Sequence, residues 1–572
     1  MTKKNRLQLL TEPEIEDFYA RPNFNSGERE LYFAMNPEEM IALRQYSATK
    51  TQIAFRLQLA YFKAKQKFFE FTFNEVHEDV AYLIAKYYKN AKAKLPSSIT
   101  RQTLNQQKQD ILNLFDFQDW SLKQNALVES HLCELLRYYP KGNDTFRQLL
   151  VYFENQKILL PSYRTLQDLF TRAFSRESER IGKLIQLIPQ EQQEKLSNLI
   201  RREEGSTKFN VIRADQKSFK YNPIKEEVAK AVELLDLYAF AKEFLPSLQI
   251  SKNAIRYYSD LAEQYAASRL RRVNKTQQYL QALCFIYHHY QQIMDNLITS
   301  FMFHIRGIMS DAKKYAEKAR AEYNANLTVD VPKLAKFMKW FPNRKYGMGH
   351  EELNREAYNI LPEKKFPIIA DYLMGSRFDA KAAKRDFYLE QSRLFALYLR
   401  PVLLHVSFEY YKADADVMAF IKHMKNHYGR RKKGPASFKL PQELEARISE
   451  TALPYLKKTA NDEQIDPHLF EFFVYQKMYH RLDKNLLCCN DSVTYCDVDH
   501  DLVAESVVDD AEKIADEFGY KKIPVYCDER LDEVLDELDR AWERTTSRIN
   551  RGENQSFKIK ETKSGEQDWS LG

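Results

Sequence analysis

The sequence predicts a mainly α-helical protein built from several domains. Only 14 of its 572 residues are glycine and 19 are proline, against roughly 7% and 5% in average proteins. This scarcity of turn-forming residues disfavours sandwiches, barrels and propellers. Apolar residues recur mostly at helical spacing, whereas the alternation that is typical of strands is rare. The length is enough for roughly three to five domains.

Three stretches carry the helical pattern most clearly. The apolar positions of the first two are Phe146, Leu149, Leu150 and Phe153, and then Leu166, Leu169, Phe170 and Ala173. The third predicts a long helix from about Lys275 to His304, with Asn274 as its N-cap. The best strand-like pattern lies near residues 485–496, where the sequence allows one small β-hairpin.

Polar stretches divide the chain into five predicted regions. These are an N-terminal domain with helix-turn-helix-like modules at residues 5–175, a helical domain with the long amphipathic helix at 176–341, another helical domain at 342–496, an acidic helical segment at 497–549 and a linker-like tail at 550–572. The tail is polar and shows no apolar periodicity, which predicts a linker or a disordered end.

Charge is distributed unevenly along the chain. Residues 497–543 contain 17 acidic and 5 basic side chains, and the tail from residue 544 has a net charge of +2. Residues 1–496 therefore carry +17, although the whole chain carries only +7. A basic body favours a polyanionic partner, with nucleic acid before a membrane surface. Ordinary solvated surface is the alternative.

Several functional classes are disfavoured by the sequence. The G-x-x-x-x-G stretch Gly429–Gly434 continues with Pro435 and Ala436, where a phosphate-binding loop needs Lys and Ser or Thr. No stretch reaches the ~18 uninterrupted apolar residues of a membrane span. Six cysteines in 572 residues are typical of a cytosolic protein rather than of a disulfide framework. We therefore expect a cytoplasmic protein without a membrane partner.

Two consecutive helices are predicted to form a helix-turn-helix-like unit. The first spans Asp144–Gln156, and the second begins at Tyr163 with Ser162 as its N-cap. In such units the second helix lies in the major groove, where Arg and Gln can read base edges. An ordinary helical hairpin is the alternative. The polar face of the second helix carries Arg164, Gln167, Asp168 and Arg172.

Basic residues cluster at four further places, as expected of a protein that binds phosphates. The clusters are Lys86, Lys89, Lys92 and Lys94 with Arg101; Arg269, Arg271, Arg272 and Lys275; Lys333, Lys336 and Lys339 beside Trp340; and Arg430, Arg431, Lys432 and Lys433. We predict DNA contacts from Arg164, Gln167 and Arg172, from the first and last clusters, and from Arg271, Arg272 and Lys275. Any single cluster could equally be solvated surface.

No group of side chains predicts a catalytic or metal site. Cysteines 488, 489 and 496 with His500 are suitable zinc ligands, but their spacing follows no standard pattern. Acidic pairs recur every four residues from Asp528 to Glu537, opposite a leucine face, as on a solvated helix. We therefore expect no cofactor, no metal and no catalytic residue in this chain.

Three blocks of sequence resemble the N-terminal half of Tn-three family transposases, the enzymes of replicative class II transposons. They are TQIAFRLQLAYFKAKQKFF (Thr51–Phe69), QKILLPSYRTLQDL (Gln156–Leu169) and HLFEFFVYQKMYHRLDKNLLCCNDSVTY (His468–Tyr495). The departures from the family's pattern are Ile53 and Ser162, which replace glycines, and Lys484–Asn485, which replaces a glycine-containing turn. The blocks occur in the family's order, and the similarity runs from about residue 5 to residue 540.

The resemblance implies a helical, multi-domain region that opens with a domain of unknown function and binds the terminal inverted repeats of a transposon. It also implies self-association. The family's catalytic part, a ribonuclease-H-like domain whose Asp-Asp-Glu triad holds Mg²⁺, lies beyond the resembling region. We therefore expect a truncated or split transposase that binds double-stranded DNA in the nucleoid. It would not be active alone and would need a separate chain with the catalytic domain. The alternative is a non-catalytic helical interaction or regulatory protein without sequence-specific DNA binding.

Overall fold

The computed structural model describes residues 7–88, 99–203, 206–265, 267–375, 377–410, 415–429, 438–459 and 462–497, with a few residues beyond them and the backbone of 557–561 and 567–571. Helices dominate this part of the chain, which confirms the mainly α prediction. Two compact units are present: Met1–Gln186 with Gln249–Ala254 and Val503–Gly572, and Leu187–Leu248 with Ile255–Leu502. We call them the first and the second unit.

Nine helices precede residue 187 in the described residues of the first unit. They are α1 (Glu12–Tyr19), α2 (Ser26–Tyr32), α3 (Pro37–Arg44), α4 (Thr49–Lys65), α5 (His77–Tyr87), α6 (Arg101–Phe115), α7 (Leu122–Tyr138), α8 (Gly142–Asn155) and α9 (Tyr163–Ile185). Capping boxes start α2 and α3, since Asn25 and Asn36 exchange hydrogen bonds with the residues three positions on. The predicted boundary after residue 175 falls inside α9, which continues without a break to Ile185.

Helix α4 forms the centre of the first half of this unit. Ten consecutive residues, from Ile53 to Phe62, are buried, so the helix is covered on all sides by its neighbours. Two apolar clusters share it: Leu57 and Tyr61 belong to one, and Phe55 and Phe62 to the other. The first of the three blocks that resemble the transposase family, Thr51–Phe69, therefore covers most of this buried helix.

The second unit contains the helices that the structure describes between residues 190 and 482. They are α10 (Gln190–Ile200), α11 (Lys208–Ile212), α12 (Tyr221–Phe244), α13 (Lys252–Gln264, whose first residues belong to the first unit), α14 (Ala267–Leu270), α15 (Lys275–Trp340), α16 (His350–Ile360), α17 (Lys365–Leu373), α18 (Ala380–Glu390), α19 (Ser392–Leu394), α20 (Arg400–His405), α21 (Ala415–Tyr428), α22 (Gln442–Glu445) and α23 (Pro467–Leu482). A π-helical turn, Phe395–Leu399, joins α19 to α20.

Helix α15 organises the second unit. The Asn274 side chain accepts a hydrogen bond from the backbone N–H of Gln277 at 2.8 Å, which confirms the predicted N-cap. The helix does not end near His304 as predicted but continues to Trp340, with Pro332 inside it. Its first part packs along α12, where the rings of Tyr238 and Tyr290 stack 4.0 Å apart.

The strands form three antiparallel pairs in the described residues. The pairs are β1 (Arg202–Glu203) with β2 (Ser206–Thr207), β3 (Glu409–Tyr410) with β4 (Leu487–Cys488), and β5 (Phe557–Glu561) with β6 (Gln567–Leu571). The small β element expected near residues 485–496 is thus present as β4. Its partner is the distant β3 rather than the adjacent segment, because residues 492–494 bind instead to Asp295 of α15.

The linker-like tail differs from its prediction. Strands β5 and β6 form a hairpin in which Phe557 is opposite Leu571 and Ile559 is opposite Trp569. Both strands alternate apolar and polar residues, a two-residue period that a search for helical periodicity does not detect. Most of the acidic segment, residues 497–549, lies outside the described residues.

Candidate nucleic-acid interface

Helices α7, α8 and α9 form a three-helix bundle around one apolar core. Each helix contributes buried residues, among them Leu132 from α7, Phe146 from α8 and Leu169 and Phe170 from α9. The Ser162 hydroxyl caps α9 by accepting a hydrogen bond from the backbone N–H of Thr165 at 3.2 Å. The predicted helix pair is therefore present, within two residues of its predicted starting point, and α7 completes its core.

Arg164 lies in the first turn of α9, where its side chain is exposed. It makes no hydrogen bond or ion pair with any other residue that the structure describes. The N-terminus of a helix carries unpaired N–H groups and a partial positive charge, so it favours phosphate. Among the predicted residues of this helix, Arg164 is the one whose guanidinium is free for a ligand.

Gln167 has a partner inside the protein. Its side-chain amide donates a hydrogen bond to the carbonyl oxygen of Leu7 at 2.9 Å. The hydroxyl of Tyr163 accepts hydrogen bonds from the backbone N–H groups of Leu9 and Leu10, each at 3.1 Å. The segment before α1 is thus fastened across the beginning of α9. For Gln167 to bind a base, its amide would have to give up the Leu7 carbonyl.

Arg172 also has partners, which the sequence analysis did not identify. Its Nε lies 2.7 Å from a carboxylate oxygen of Glu129, and the Asn125 side chain accepts a second hydrogen bond at 3.3 Å. The other carboxylate oxygen of Glu129 lies 2.9 Å from Arg176. Glu129 is buried, whereas the two arginine side chains are 46% and 66% exposed. We call these three residues the Glu129 cluster.

A lysine near the start of α9 was also missed by the sequence analysis. The ammonium group of Lys67 lies 3.6 Å from the centre of the Tyr19 ring, within cation–π distance. The Tyr19 hydroxyl donates a hydrogen bond to the carbonyl oxygen of Pro161 at 3.2 Å. Burial lowers the pKa of Lys67 to about 8, so the ammonium form still predominates at neutral pH. A lone Lys after α4 carries no periodic signal by which it could have been found.

The first predicted basic cluster is only partly described. Lys86, near the end of α5, donates a hydrogen bond to the Tyr82 hydroxyl at 2.9 Å and lies 3.6 Å from Glu30. Arg101 begins α6 and is exposed. The other predicted residues of this cluster, Lys89, Lys92 and Lys94, lie outside the described residues.

The remaining predicted residues belong to the second unit. Arg271 and Arg272 are exposed in the turn before α15. The ammonium group of Lys275 lies 5.5 Å from the centre of the Tyr279 ring. The loop with Arg430, Arg431, Lys432 and Lys433 lies outside the described residues. The structure thus joins Arg164, Gln167 and Arg172 in one helix and places Arg271, Arg272 and Lys275 in the other unit.

Two adjacent cysteines of the predicted zinc candidate, Cys488 and Cys489, are buried, and its His500 lies outside the described residues. Burial raises the pKa of the Cys489 thiol to about 12 and that of Cys488 to about 11, which opposes the thiolate form that metals require. No group of three or more His, Cys, Asp or Glu side chains in the described ranges could hold a metal ion. Likewise, none of the helices in those ranges is both long enough and apolar enough to span a membrane.

Comparison with known protein families gives a match at the N-terminal end of the chain. Residues 9–173 match a domain of unknown function, DUF4158, a domain that opens transposases. The match extends from just before α1 into α9 and so includes the α8–α9 pair, Arg164 and the Glu129 cluster except Arg176. No curated protein matches the chain.

Proposed function

We propose that this chain recognises DNA ends in transposition: it binds the terminal inverted repeats of a transposon of the Tn-three type. The observation that carries the proposal is Arg164 in the first turn of the third helix of a three-helix bundle, an exposed arginine that has no partner among the residues that the structure describes. Residues at that position of helix-turn-helix proteins reach base edges. The bundle also lies within the match to a domain that opens transposases.

The proposed contacts follow from the chemistry of each side chain. The guanidinium of Arg164 can donate two parallel hydrogen bonds to the major-groove edge of a guanine, or bind a phosphate. Arg101 is exposed and can neutralise backbone phosphates, as can Arg271 and Arg272 if the DNA also contacts the second unit. Arg172 and Arg176 contribute to the extent that they exchange the Glu129 carboxylate for a phosphate.

The proposal assigns the chemistry of strand transfer to a different polypeptide. An Asp-Asp-Glu domain with bound Mg²⁺ on a separate chain would supply it, and no residue of this chain is given a catalytic role. The self-association that the resemblance implies would allow two copies to bind both transposon ends. In a cell, the protein would be associated with the nucleoid.

Fluorescence anisotropy with a labelled duplex that carries the terminal repeat tests this proposal. Wild-type protein should bind that duplex more tightly than a scrambled duplex at ~0.15 M salt. Arg164→Ala should lose about 1–3 kcal/mol of binding free energy, on the repeat more than on the scrambled sequence. Lys183→Ala is the matched control, since Lys183 lies near the other end of α9 and already pairs with Glu179 at 2.9 Å.

Equal and weak binding to both duplexes would contradict the proposal. It would favour the alternative of a helical interaction or regulatory protein without sequence-specific DNA binding. A loss of affinity in Lys183→Ala as large as in Arg164→Ala would show that only the positive charge matters. It would contradict the proposed contact between Arg164 and a base.

A further inference from the structure

The end of α15 and the loop that follows it combine positive charge with aromatic rings. Residues 333–346, which we call the α15 tip, contain five basic and no acidic side chains. They also contain four aromatic side chains. The basic residues are Lys333, Lys336, Lys339, Arg344 and Lys345, and the aromatic ones are Phe337, Trp340, Phe341 and Tyr346. Arg164 and the α7–α9 bundle belong to the other unit, so the tip is independent of the surface proposed above.

The tip is supported by packing against the next two helices. The rings of Phe337 and Phe366 are 5.0 Å apart and nearly perpendicular. Leu361 and Ile369 are buried. An ion pair of 2.9 Å joins Lys365 of α17 to Asp330 of α15. The backbone of the tip is therefore held in place, and the side chains that point outward do so from an ordered base.

Two of the aromatic rings are exposed in spite of this support. Tyr346 is fully exposed, and Phe341 is 41% exposed. The guanidinium of Arg344 lies 4.0 Å from the centre of the Phe341 ring and donates a hydrogen bond to the Phe341 carbonyl oxygen at 2.6 Å. Large apolar rings that stay exposed to water do not gain the free energy of burial. A ligand with flat apolar faces and negative charge would cover these rings and pair with the neighbouring cation.

Three lysines of the tip are available for phosphates. Lys336, Lys339 and Lys345 are exposed and make no ion pair with any residue of the described chain. By contrast, the lysines earlier in the exposed part of α15 lie beside acids: Lys313 is 4.0 Å from Glu317, and Lys318 is 3.9 Å from Glu322. The change from paired to unpaired lysines along one helix marks the tip as the attractive surface for a polyanion.

We propose that the α15 tip binds single-stranded DNA. Its exposed rings, above all Tyr346, stack on unpaired bases, while Lys336, Lys339 and Lys345 bind the phosphates between them. Aromatic stacking beside a basic surface is the usual chemistry of single-strand binding. A duplex hides the faces of its bases and would leave the rings uncovered. A membrane surface fits less well, because the half-buried Phe337 and Trp340 pack with neighbouring rings rather than forming an apolar face.

The test uses the full chain with a labelled 20-nucleotide oligothymidine, a duplex of the same length, and vesicles of phosphatidylserine and phosphatidylcholine. Tyr346→Ala should weaken oligothymidine binding at least about fivefold and change duplex binding much less. Lys336→Ala with Lys339→Ala should make the dependence of log K on log salt shallower by about 1.4 for the single strand. Neither change removes a buried side chain, so both variants should fold.

Matched controls separate the tip from general effects. Tyr221→Ala removes a 39% exposed tyrosine at the start of α12, and Lys313→Ala with Lys318→Ala removes two lysines from the paired part of α15. Both controls should bind the oligothymidine like the wild type. Equal losses in control and tip variants would overturn the proposal.

Two further outcomes would also overturn it. Unchanged oligothymidine affinity in Tyr346→Ala would exclude stacking, and an equal loss on the duplex would show that the tip binds phosphates only. If vesicle binding alone depended on the tip, the partner would be a membrane surface. The two proposals can fail separately, because the effect of Arg164→Ala is measured with a duplex and that of Tyr346→Ala with a single strand.

Discussion

A buried glutamate binds arginine in each unit, but the two sites differ in their exposure to solvent. Glu471 of α23 is 1% exposed, and Arg400 contacts both of its carboxylate oxygens at 2.6 and 2.7 Å. The hydroxyls of Tyr428 and Tyr475 donate two more hydrogen bonds to it. The Glu129 cluster also pairs a buried carboxylate with arginine, but it has two arginines and both are at the surface. Burial therefore decides whether an arginine only stabilises the fold or can also exchange its partner for a phosphate.

The pKa of Arg400 reflects this closed environment. Burial by itself would lower the pKa, but the hydrogen bonds and negative charge of Glu471 outweigh it and raise the pKa above its ordinary value. The guanidinium also lies 4.3 Å from the centre of the Tyr428 ring. All these contacts lie inside the second unit, and they leave the Arg400 side chain only 16% exposed.

The largest effect is expected from Glu471→Gln. The change leaves the largely buried Arg400 without its counter-charge, which should lower the free energy of unfolding by about 3–5 kcal/mol. Urea unfolding followed by circular dichroism measures it. Tyr428→Phe is the milder control, with a loss of about 1 kcal/mol for one hydrogen bond. A loss below about 1 kcal/mol for Glu471→Gln would mean that the two glutamate sites are energetically alike.

The pH dependence of stability should report whether solvent reaches the first unit near Glu129. His131, two residues further along α7, stacks on Tyr152 at 4.1 Å, and burial lowers its pKa to about 4. In the unfolded chain, His131 binds a proton near pH 6.5, whereas in the folded protein it does so only near pH 4. The stability that comes from keeping His131 neutral is therefore fully present above pH 6.5 and is lost as the pH falls towards 4. The loss from this group is at most about 3 kcal/mol.

His131→Phe keeps an aromatic ring on Tyr152 but cannot titrate. We expect its stability to fall less steeply than that of the wild type between pH 6.5 and 4, measured by urea unfolding at each pH. An NMR titration that places the His131 pKa near 6.5 would refute the expectation and show that solvent reaches this side of α7.

Glu129→Gln should act on two properties in opposite directions. Stability should fall by about 1 kcal/mol, because the arginine partners are largely solvated. DNA binding should tighten a few-fold, with the salt slope steeper by about 0.9 for each new phosphate contact. Glu471→Gln should leave DNA affinity unchanged in protein that is still folded. Weaker DNA binding in Glu129→Gln would indicate that the carboxylate positions Arg172 for DNA instead of competing with it.

The smallest effect concerns helix starts, where the two units should behave alike. Ser162→Ala and Asn274→Ala each remove a side-chain cap and should each cost about 1 kcal/mol of stability. Thermal unfolding measures both. Ser162→Ala should weaken DNA binding more than Asn274→Ala does, since the helix that Ser162 caps presents Arg164. Identical DNA affinities in the two variants would separate the start of α9 from the DNA surface.

Local features of the fold could be predicted from the sequence. The i, i+3, i+4 spacing of Phe146 to Phe153 and of Leu166 to Ala173 gave α8 and α9, and the capping residues Ser162 and Asn274 were identified because their hydrogen bonds span only three residues. The continuation of α15 beyond His304 was missed. Buried positions thin out after Ala316 and Pro332 interrupts the pattern, so tertiary contacts with α16 and α17 rather than periodicity support that stretch.

The candidate site could be predicted only in part, because charged side chains carry no periodic signal. Arg164, Gln167 and Arg172 looked equivalent on a polar helix face. The structure distinguishes them through partners that are distant in sequence: Leu7 lies 160 residues from Gln167, and Glu129 lies 43 residues from Arg172. The recognition of transposon ends stays a prediction.

The uninterrupted length of α15 sets the distance between two basic surfaces of the second unit. Sixty-six residues at about 1.5 Å each make a rod of about 100 Å, which equals the length of about 29 base pairs of B-form DNA at 3.4 Å per step. Arg271 and Arg272 stand at one end of this rod, and the α15 tip stands at the other. Two phosphate contacts held at such ends would be separated by nearly three turns of the double helix.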